Sequence, residues 1–160
     1  MRHCLRPAQS RQPRATEIEQ ACHGTVHPNH PVLRAACSLA ALHSEHHAGR
    51  GRDIGEIYCS RTELVRGIDR WVTAHLPQTR AATYLHTESV GMVIDRIARY
   101  RVDAHAALNS SAPEPDCHFR WQRLAELAVA YTDLAFEISG GLRNVPTFTY
   151  PVDITSHPTA

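Results

Sequence analysis

Four stretches of the chain carry apolar residues at intervals of three or four, and glycine or proline stands at or just beyond the end of each stretch. Side chains at that spacing share one face of an α-helix, and such a face must be covered by another element. Helices joined by short loops cover one another as a bundle, so the pattern predicts an all-α, four-helix bundle-like single domain. The four predicted helices run from Pro31 to Gly49, from Asp53 to Pro77, from Thr87 to Leu108 and from Asp116 to Gly140.

Three of these stretches begin directly after a residue that suits the start of a helix. Side-chain oxygens of Asp and Thr accept hydrogen bonds from the unpaired N–H groups of a first helical turn. We therefore predict Asp53, Thr87 and Asp116 as N-caps. This places Glu88 in the first turn of the third long helix, where a negative charge suits the helix dipole.

The segments outside the bundle differ from it in composition. Residues 1–14 hold four arginines and no acid, which predicts a mobile basic arm. A short extra helix is predicted over residues 15–22, and the bundle domain then extends to residue 141. Residues 142–160 are interrupted by prolines and predict an extended tail. Its larger apolar side chains are expected to lie against the bundle or a neighbouring subunit: Val145, Phe148, Tyr150 and Ile154.

All seventeen basic residues are arginine, a usage typical of GC-rich genomes such as those of actinobacteria. The absence of lysine excludes Schiff-base chemistry and the phosphate-loop lysine, since both need a primary amine. A formal net charge of +1 disfavours nucleic-acid binding by bulk charge. The chain has no apolar run long enough to cross a membrane and no secretory leader, so we expect a cytoplasmic protein. Its five scattered cysteines are then expected to be reduced.

Histidines and acids on the first three long helices suggest a metal site. His43 and His47 stand four residues apart, the spacing at which two imidazoles reach one ion, and Glu45 lies between them. Acids from the facing helices would complete the coordination. The six candidate ligands are His43, Glu45, His47, Asp69, Glu88 and Asp95. A solvated or core-edge histidine cluster explains the first helix equally simply, because the chain contains twelve histidines.

The two aspartates share a local pattern, since Asp69 and Asp95 each follow an isoleucine of the apolar stripe and precede an arginine. A carboxylate beside a core needs a partner, so each is expected to meet an arginine, a histidine or a metal. The available cations are Arg66, Arg70, Arg96 and Arg99. If these arginines instead point to a common cleft, they can bind a phosphate or carboxylate ligand, with Arg96 and Arg66 as the anion-binding candidates.

Glu88 and Asp95 lie seven residues apart, so we expect them on one face of the third helix, about 10.5 Å apart along its axis. Gly91 stands between them. Glycine inside a helix costs about 1 kcal/mol relative to alanine, which suggests that another backbone or a ligand approaches closely at this point. A surface Asp-Arg pair and a tight helix crossing would explain the same residues without a function.

The order of these polar motifs resembles the bacterial domain-of-unknown-function (DUF) family 4254. The resemblance spans about residues 31–150 and rests on four motifs: His43-Ser44-Glu45, Arg66-Gly67-Ile68-Asp69, Thr87-Glu88-Ser89 and Ile94-Asp95-Arg96. The chain departs from the family pattern by having Leu42 where tryptophan precedes the histidine, and by extra histidines at 46 and 47. The resemblance implies a helical bundle and no established activity.

Two functions fit these observations. The first is a binding or assembly module that forms a homo-oligomer, such as a dimer, or binds a protein partner; membrane and nucleic acid are not expected partners. The alternative is a metal-dependent or phosphate-handling enzyme with a His/Asp/Glu site between helices one to three. The sequence assigns no catalytic residue and no cofactor, although the metal-dependent alternative requires a divalent ion.

Overall fold

A computed structural model describes residues 11–24, 29–49, 52–76 and 84–146, and it confirms the all-α fold. No helix in these ranges is both long and apolar enough to cross a membrane. The elements are, in chain order, α1 (Ala15–Cys22), α2 (Pro31–His47), α3 (Ile54–His75), β1 (Tyr84–Leu85), α4 (Val90–Leu108), α5 (Glu114–Ser139) and β2 (Arg143–Asn144).

Helix α4 lies at the centre of the bundle and contacts α1, α2, α3 and α5, while α2 also packs on α1 and α3. The apolar stripes of all five helices meet in one core. Its largest fully buried aliphatic and aromatic side chains are Ile18, Leu39, Ile68, Ile94, Ile97, Leu124, Tyr131 and Ile138. The helical periodicity therefore predicted the buried faces that position the rest of the molecule.

The prediction of Thr87 as an N-cap is wrong, because α4 begins two residues later. Ser89 is the N-cap, and its hydroxyl accepts a hydrogen bond from the Met92 N–H at 3.3 Å. Upstream, the His86 N–H donates to the Asn144 carbonyl at 2.8 Å, which holds the chain extended before the helix. Glu88 consequently lies in the turn before α4 and not in its first turn.

Asp53 is confirmed as the N-cap of α3, and its carboxylate accepts from the Gly55 N–H at 3.0 Å. The same prediction for Asp116 is wrong, because α5 begins at Glu114 with Pro113 as the N-cap. Proline is tolerated in a first turn because its missing N–H has no partner there, so Pro115 does not delay the helix. Asp116 instead lies within the first turn.

Two very short strands were not predicted. β1 and β2 pair in parallel, with Tyr84 opposite Arg143 and Leu85 opposite Asn144. Helix α5 ends at Ser139. Gly141 follows with a φ of 69°, which suits glycine, and the Leu142 N–H donates back to the Glu137 carbonyl. Val145 is buried, as expected for the tail; Phe148, Tyr150 and Ile154 lie outside the described residues.

The described end of the predicted basic arm contacts the bundle. Gln12 is buried, and its amide donates to the hydroxyl of Tyr131 at 3.1 Å. That hydroxyl donates in turn to the Pro13 carbonyl at 3.1 Å. Residues 1–10 lie outside the described residues. The residues directly before α1 therefore pack against α5.

Candidate functional site

A network of three side chains joins the middle helices of the bundle. Asp95 on α4 contacts Nε2 of His43 on α2, with an Oδ1–Nε2 distance of 2.8 Å. Arg61 on α3 donates to both oxygens of the same carboxylate, from Nε at 3.2 Å and from Nη2 at 2.5 Å. His43 is buried, and only 15% of the Asp95 side chain is exposed. Three helices are therefore tied together at one carboxylate.

The carboxylate of Asp95 is held in its ionised form. Burial alone would raise the pKa of Asp95, but hydrogen bonds from His43 and Arg61, together with the positive charge beside it, lower that pKa below its ordinary value. An ionised carboxylate can only accept hydrogen bonds, so Nε2 of His43 carries the proton and donates it to Asp95. The network thereby sets the orientation of the His43 ring and of the Arg61 guanidinium.

This network forms one wall of a polar pocket of about 320 Å³, which we call the α2–α4 pocket. Arg99 on α4 reaches it with a side chain that is 63% exposed, and the distance from its Nε to the Asp103 carboxylate is a long 3.9 Å. The full lining is His43, His46, His47, Arg61, Arg99 and Asp103. Imidazole and guanidinium groups thus predominate on its walls.

A second pocket of about 300 Å³, which we call the His105 pocket, adjoins the first, because His47 lines both. The rings of His23 and His105 face each other in it, with centroids 5.4 Å apart. Burial lowers the pKa of His105, and the charges of Arg101 and His23 lower it further. The full lining is Cys22, His23, Ser44, His47, Arg101, Val102, His105, Ala106 and Asn109.

The chain can be placed in a family at this point. Residues 39–147 match the family described as "Protein of unknown function (DUF4254)", which is more than half of the chain. The chain belongs to the DUF4254 family. No curated protein and no solved structure shows significant similarity to it. The matched residues include all three members of the His43–Asp95–Arg61 network, whereas α1 lies outside the DUF4254 match.

In this DUF4254 protein the predicted metal ligands occupy separate contacts. Glu45 lies 3.5 Å from Arg52, and Glu88 pairs with Arg96. His47 lines both pockets. Asp69, on α3, is buried against the start of α4. Of the six candidates, only His43 and Asp95 contact each other. Across the described ranges, no three His, Cys, Asp or Glu side chains converge closely enough to hold a metal ion.

The two predicted anion ligands also lie apart. Arg96 forms an ion pair with Glu88. Glu88 precedes α4, so it does not share a helix face with Asp95 as expected. Arg66 is exposed, and it forms no ion pair within the residues that the structure describes. Neither arginine lines the α2–α4 pocket. The arginines that line the α2–α4 pocket are Arg61, which pairs with Asp95, and Arg99.

Asp69 corrects the expectation that both aspartates would meet a cation or a metal. Its Oδ1 accepts from the Gly91 N–H at 2.7 Å, and the Ser89 hydroxyl donates to the same carboxylate. These donors are at the start of α4, where N–H groups lack partners within the helix and attract negative charge. Burial raises the pKa of Asp69, because the two hydrogen bonds offset only part of the desolvation cost.

The close approach predicted at Gly91 is confirmed. A Cβ atom placed there would lie 2.9 Å from Oδ1 of Asp69 and 3.0 Å from the carbonyl carbon of Val65, and nearer still to the Val65 carbonyl oxygen. Glycine therefore lets α4 cross directly over the backbone of α3. The polar groups of this crossing hydrogen-bond to one another and join α3 to α4.

Arg61 and Asp103 were not among the predicted site residues, whereas Arg99 was one of the arginines considered for a ligand cleft. Asp95, Arg99 and Asp103 recur every four residues, so their common face on α4 was readable from the sequence. Arg61 had no such signal, because its partner is 34 residues away and its role depends on how α3 packs against α4. His46, one of the extra histidines relative to the family pattern, lines the α2–α4 pocket.

Proposed function

We propose that this DUF4254 protein is a binding module for a small oxyanion-bearing ligand, a phosphate or a carboxylate, which occupies the α2–α4 pocket. The observation that carries the proposal is the concentration of two arginines and three histidines around one cavity. Guanidinium and imidazole N–H groups are the usual ligands of phosphate and carboxylate oxygens. A volume of about 320 Å³ lies within the ordinary range for small-molecule sites.

Arg61 is already oriented for such a ligand. A guanidinium has five N–H donors in a fixed planar fork, and the contacts with Asp95 use Nε and Nη2. The two donors of Nη1 remain for a ligand, while Asp95 fixes the plane of the group. A side chain held in this way loses less conformational freedom on binding, which favours affinity.

The lining favours an anion over a cation. With neutral histidines, Arg61 and Arg99 against Asp103 give the lining residues a formal charge of 2 − 1 = +1. Asp95 pairs with Arg61, so the formal charge becomes zero when its carboxylate is included. The preference for an anion therefore comes from the N–H donors of the arginines and histidines, and each histidine that gains a proton adds a positive charge.

Of the alternative of a metal-dependent or phosphate-handling enzyme, this proposal retains the phosphate as ligand and assigns no reaction. Its metal-dependent half finds no support in the placement of the six candidate ligands, of which only His43 and Asp95 are in contact. The structure also places no serine or cysteine in the lining of the α2–α4 pocket. Ligand binding is therefore the function that the described residues favour.

Titration with inorganic phosphate tests the proposal, by calorimetry or NMR at constant ionic strength. We expect Arg99→Ala to weaken phosphate binding about tenfold, since a hydrogen bond to a charged group contributes roughly 1.5–3 kcal/mol. Arg99 has no close partner, so its removal should leave the fold intact. Arg66→Ala, which removes an exposed arginine outside the pocket, is the matched control and should change nothing. Equal losses in both variants, or no binding by the wild type, would refute the proposal.

Self-association is a second candidate function, favoured by the outer face of α5. Phe136 is 74% exposed and Val129 is 65% exposed, and they lie seven residues apart on the side of α5 away from buried Tyr131 and Ile138. Exposed apolar groups that share a face are typical of protein interfaces. We propose that a second copy of the chain covers this face.

Light scattering coupled to size-exclusion chromatography measures this association. We expect the wild type to elute as a dimer and Phe136→Asp as a monomer, because the new charge would be buried in the interface. Tyr58→Asp changes a similarly exposed aromatic residue on α3 and should leave the dimer intact. A wild-type protein that remains monomeric at high concentration would remove this candidate.

A further inference from the structure

We propose that the α2–α4 pocket and the His105 pocket bind two parts of one ligand, a nucleoside monophosphate, with the phosphate in the first and the base in the second. This inference rests on the proposed oxyanion function and names the class of ligand. The observation that points to it is His47, whose side chain lines both pockets. Neither the family match nor the sequence motifs assign a ligand here.

The two pockets follow one seam between α2 and α4. Helix α2 supplies His43 and His46 to the first pocket, Ser44 to the second and His47 to both. Residues of α4 alternate between the pockets, since Arg99 and Asp103 line the first while Arg101 and His105 line the second. Each cavity has about the minimum volume of an ordinary small-molecule site, so together they provide room for a larger ligand.

The His105 pocket presents rings suited to a planar heterocycle. The His105 ring is fixed by an edge contact with Trp121, with centroids 5.4 Å apart, and the Arg101 guanidinium lies over the same indole at 5.6 Å. His23 faces the pocket from the end of α1 at a tilt of 54° to His105. Nucleobases stack favourably on such rings and on guanidinium planes.

The lowered pKa of His105 fits the same ligand. Burial, Arg101 and His23 each disfavour the protonated imidazole, so His105 is neutral at neutral pH. Its Nε2 is buried without a hydrogen-bond partner in the described part of the chain, so the uncharged ring would contact a base by stacking. The second pocket therefore differs in character from the arginine-rich first pocket.

Asp103 distinguishes a sugar phosphate from a bare phosphate. Its carboxylate lines the arginine-rich pocket, where it would repel a phosphate oxygen but accept hydrogen bonds from sugar hydroxyls. The Ser44 hydroxyl lies on the other side of His47, where it donates to the Ala40 carbonyl at 2.9 Å and keeps lone pairs for an additional donor. A ribose between the phosphate and the base would meet both groups.

Comparative titrations test this inference with AMP, GMP, CMP and UMP as probes, and with ribose 5-phosphate and inorganic phosphate as references. We expect at least one nucleotide to bind tenfold or more tightly than ribose 5-phosphate. His23→Ala should abolish most of that advantage and leave the affinity for inorganic phosphate unchanged. His23→Phe keeps a stacking ring and should restore the advantage, whereas Arg99→Ala should weaken every phosphorylated probe.

The possible failures are distinguishable. If inorganic phosphate binds as proposed but no nucleotide exceeds ribose 5-phosphate, the two-part ligand is refuted and the oxyanion function stands. If nucleotides bind more tightly but His23→Ala does not reduce the difference, the base does not lie in the His105 pocket and the inference is again overturned. If no phosphorylated probe binds, both proposals fail.

Discussion

We expect replacement of Gly91 by alanine to lower the free energy of unfolding by about 3 kcal/mol, from overpacking and the loss of a hydrogen bond. The new methyl group would meet the backbone of Val65, which cannot rotate away as a side chain can. Helices α3 and α4 would have to separate. That movement would lengthen the 2.7 Å hydrogen bond from the Gly91 N–H to buried Asp69.

Gly67 provides the matched control for this measurement by urea unfolding. It also lies inside a helix, but the nearest atom to an added Cβ is Nη2 of Arg70 at 3.8 Å. Gly67→Ala should therefore raise the stability by up to about 1 kcal/mol, the ordinary gain from removing a helical glycine. If Gly91→Ala is as stable as Gly67→Ala, the crossing of α3 and α4 is not as close as described.

The second large effect is expected at Asp95. Asp95→Ala removes the only acceptor shared by His43 and Arg61, leaving a buried imidazole and a half-buried guanidinium without a partner. We expect the free energy of unfolding to fall by about 3 kcal/mol, the low end for a broken buried pair because Arg61 retains some contact with solvent. Asp103→Asn is the control and should cost less than about 0.5 kcal/mol, since its arginine contact is long and exposed.

The effect of Asp95 also depends on pH in a defined direction. Its pKa is lower in the folded protein than in the unfolded chain, so its contribution is fully present above the unfolded pKa, about 3.9, and is lost as the pH falls through the folded value. The stability difference between wild type and Asp95→Ala should thus shrink as the pH falls below about 4. A difference that persists unchanged at acidic pH would contradict an ionised Asp95 network.

The helices were predictable because each carries its own apolar stripe. Burial follows most of each stripe, although Ile54 and Tyr58 near the start of α3 and Leu108 at the end of α4 are exposed. Helix starts were less predictable, since they depend on distant partners. Thr87 and Ser89 can both cap a helix, and the choice is decided by the pairing of His86 with Asn144, which is remote in the sequence. Local propensity alone could not distinguish the two residues.

The candidate site was also predictable only in part: features set by a local pattern could be predicted, whereas those set by helix packing could not. Gly91 was interpretable because a glycine in a helix has a cost that demands a reason. The need of Asp95 for a partner was also predictable from its position beside core isoleucine. Its actual partner, Arg61, depends on the relative rotation of α3 and α4, for which a single helix pattern carries no information. Arg96, the neighbour in sequence, instead pairs with Glu88.

The most direct test of the oxyanion proposal observes the histidine rings themselves. In protein with ¹⁵N-labelled histidine, inorganic phosphate added at constant ionic strength should shift the ring signals of His46 and His47, which line the α2–α4 pocket. His86 and His118 lie outside that lining and should shift little. Saturable shifts at His46 and His47 that disappear in Arg99→Ala are the predicted result. Shifts confined to His86 or His118, or none at any ring, would contradict it.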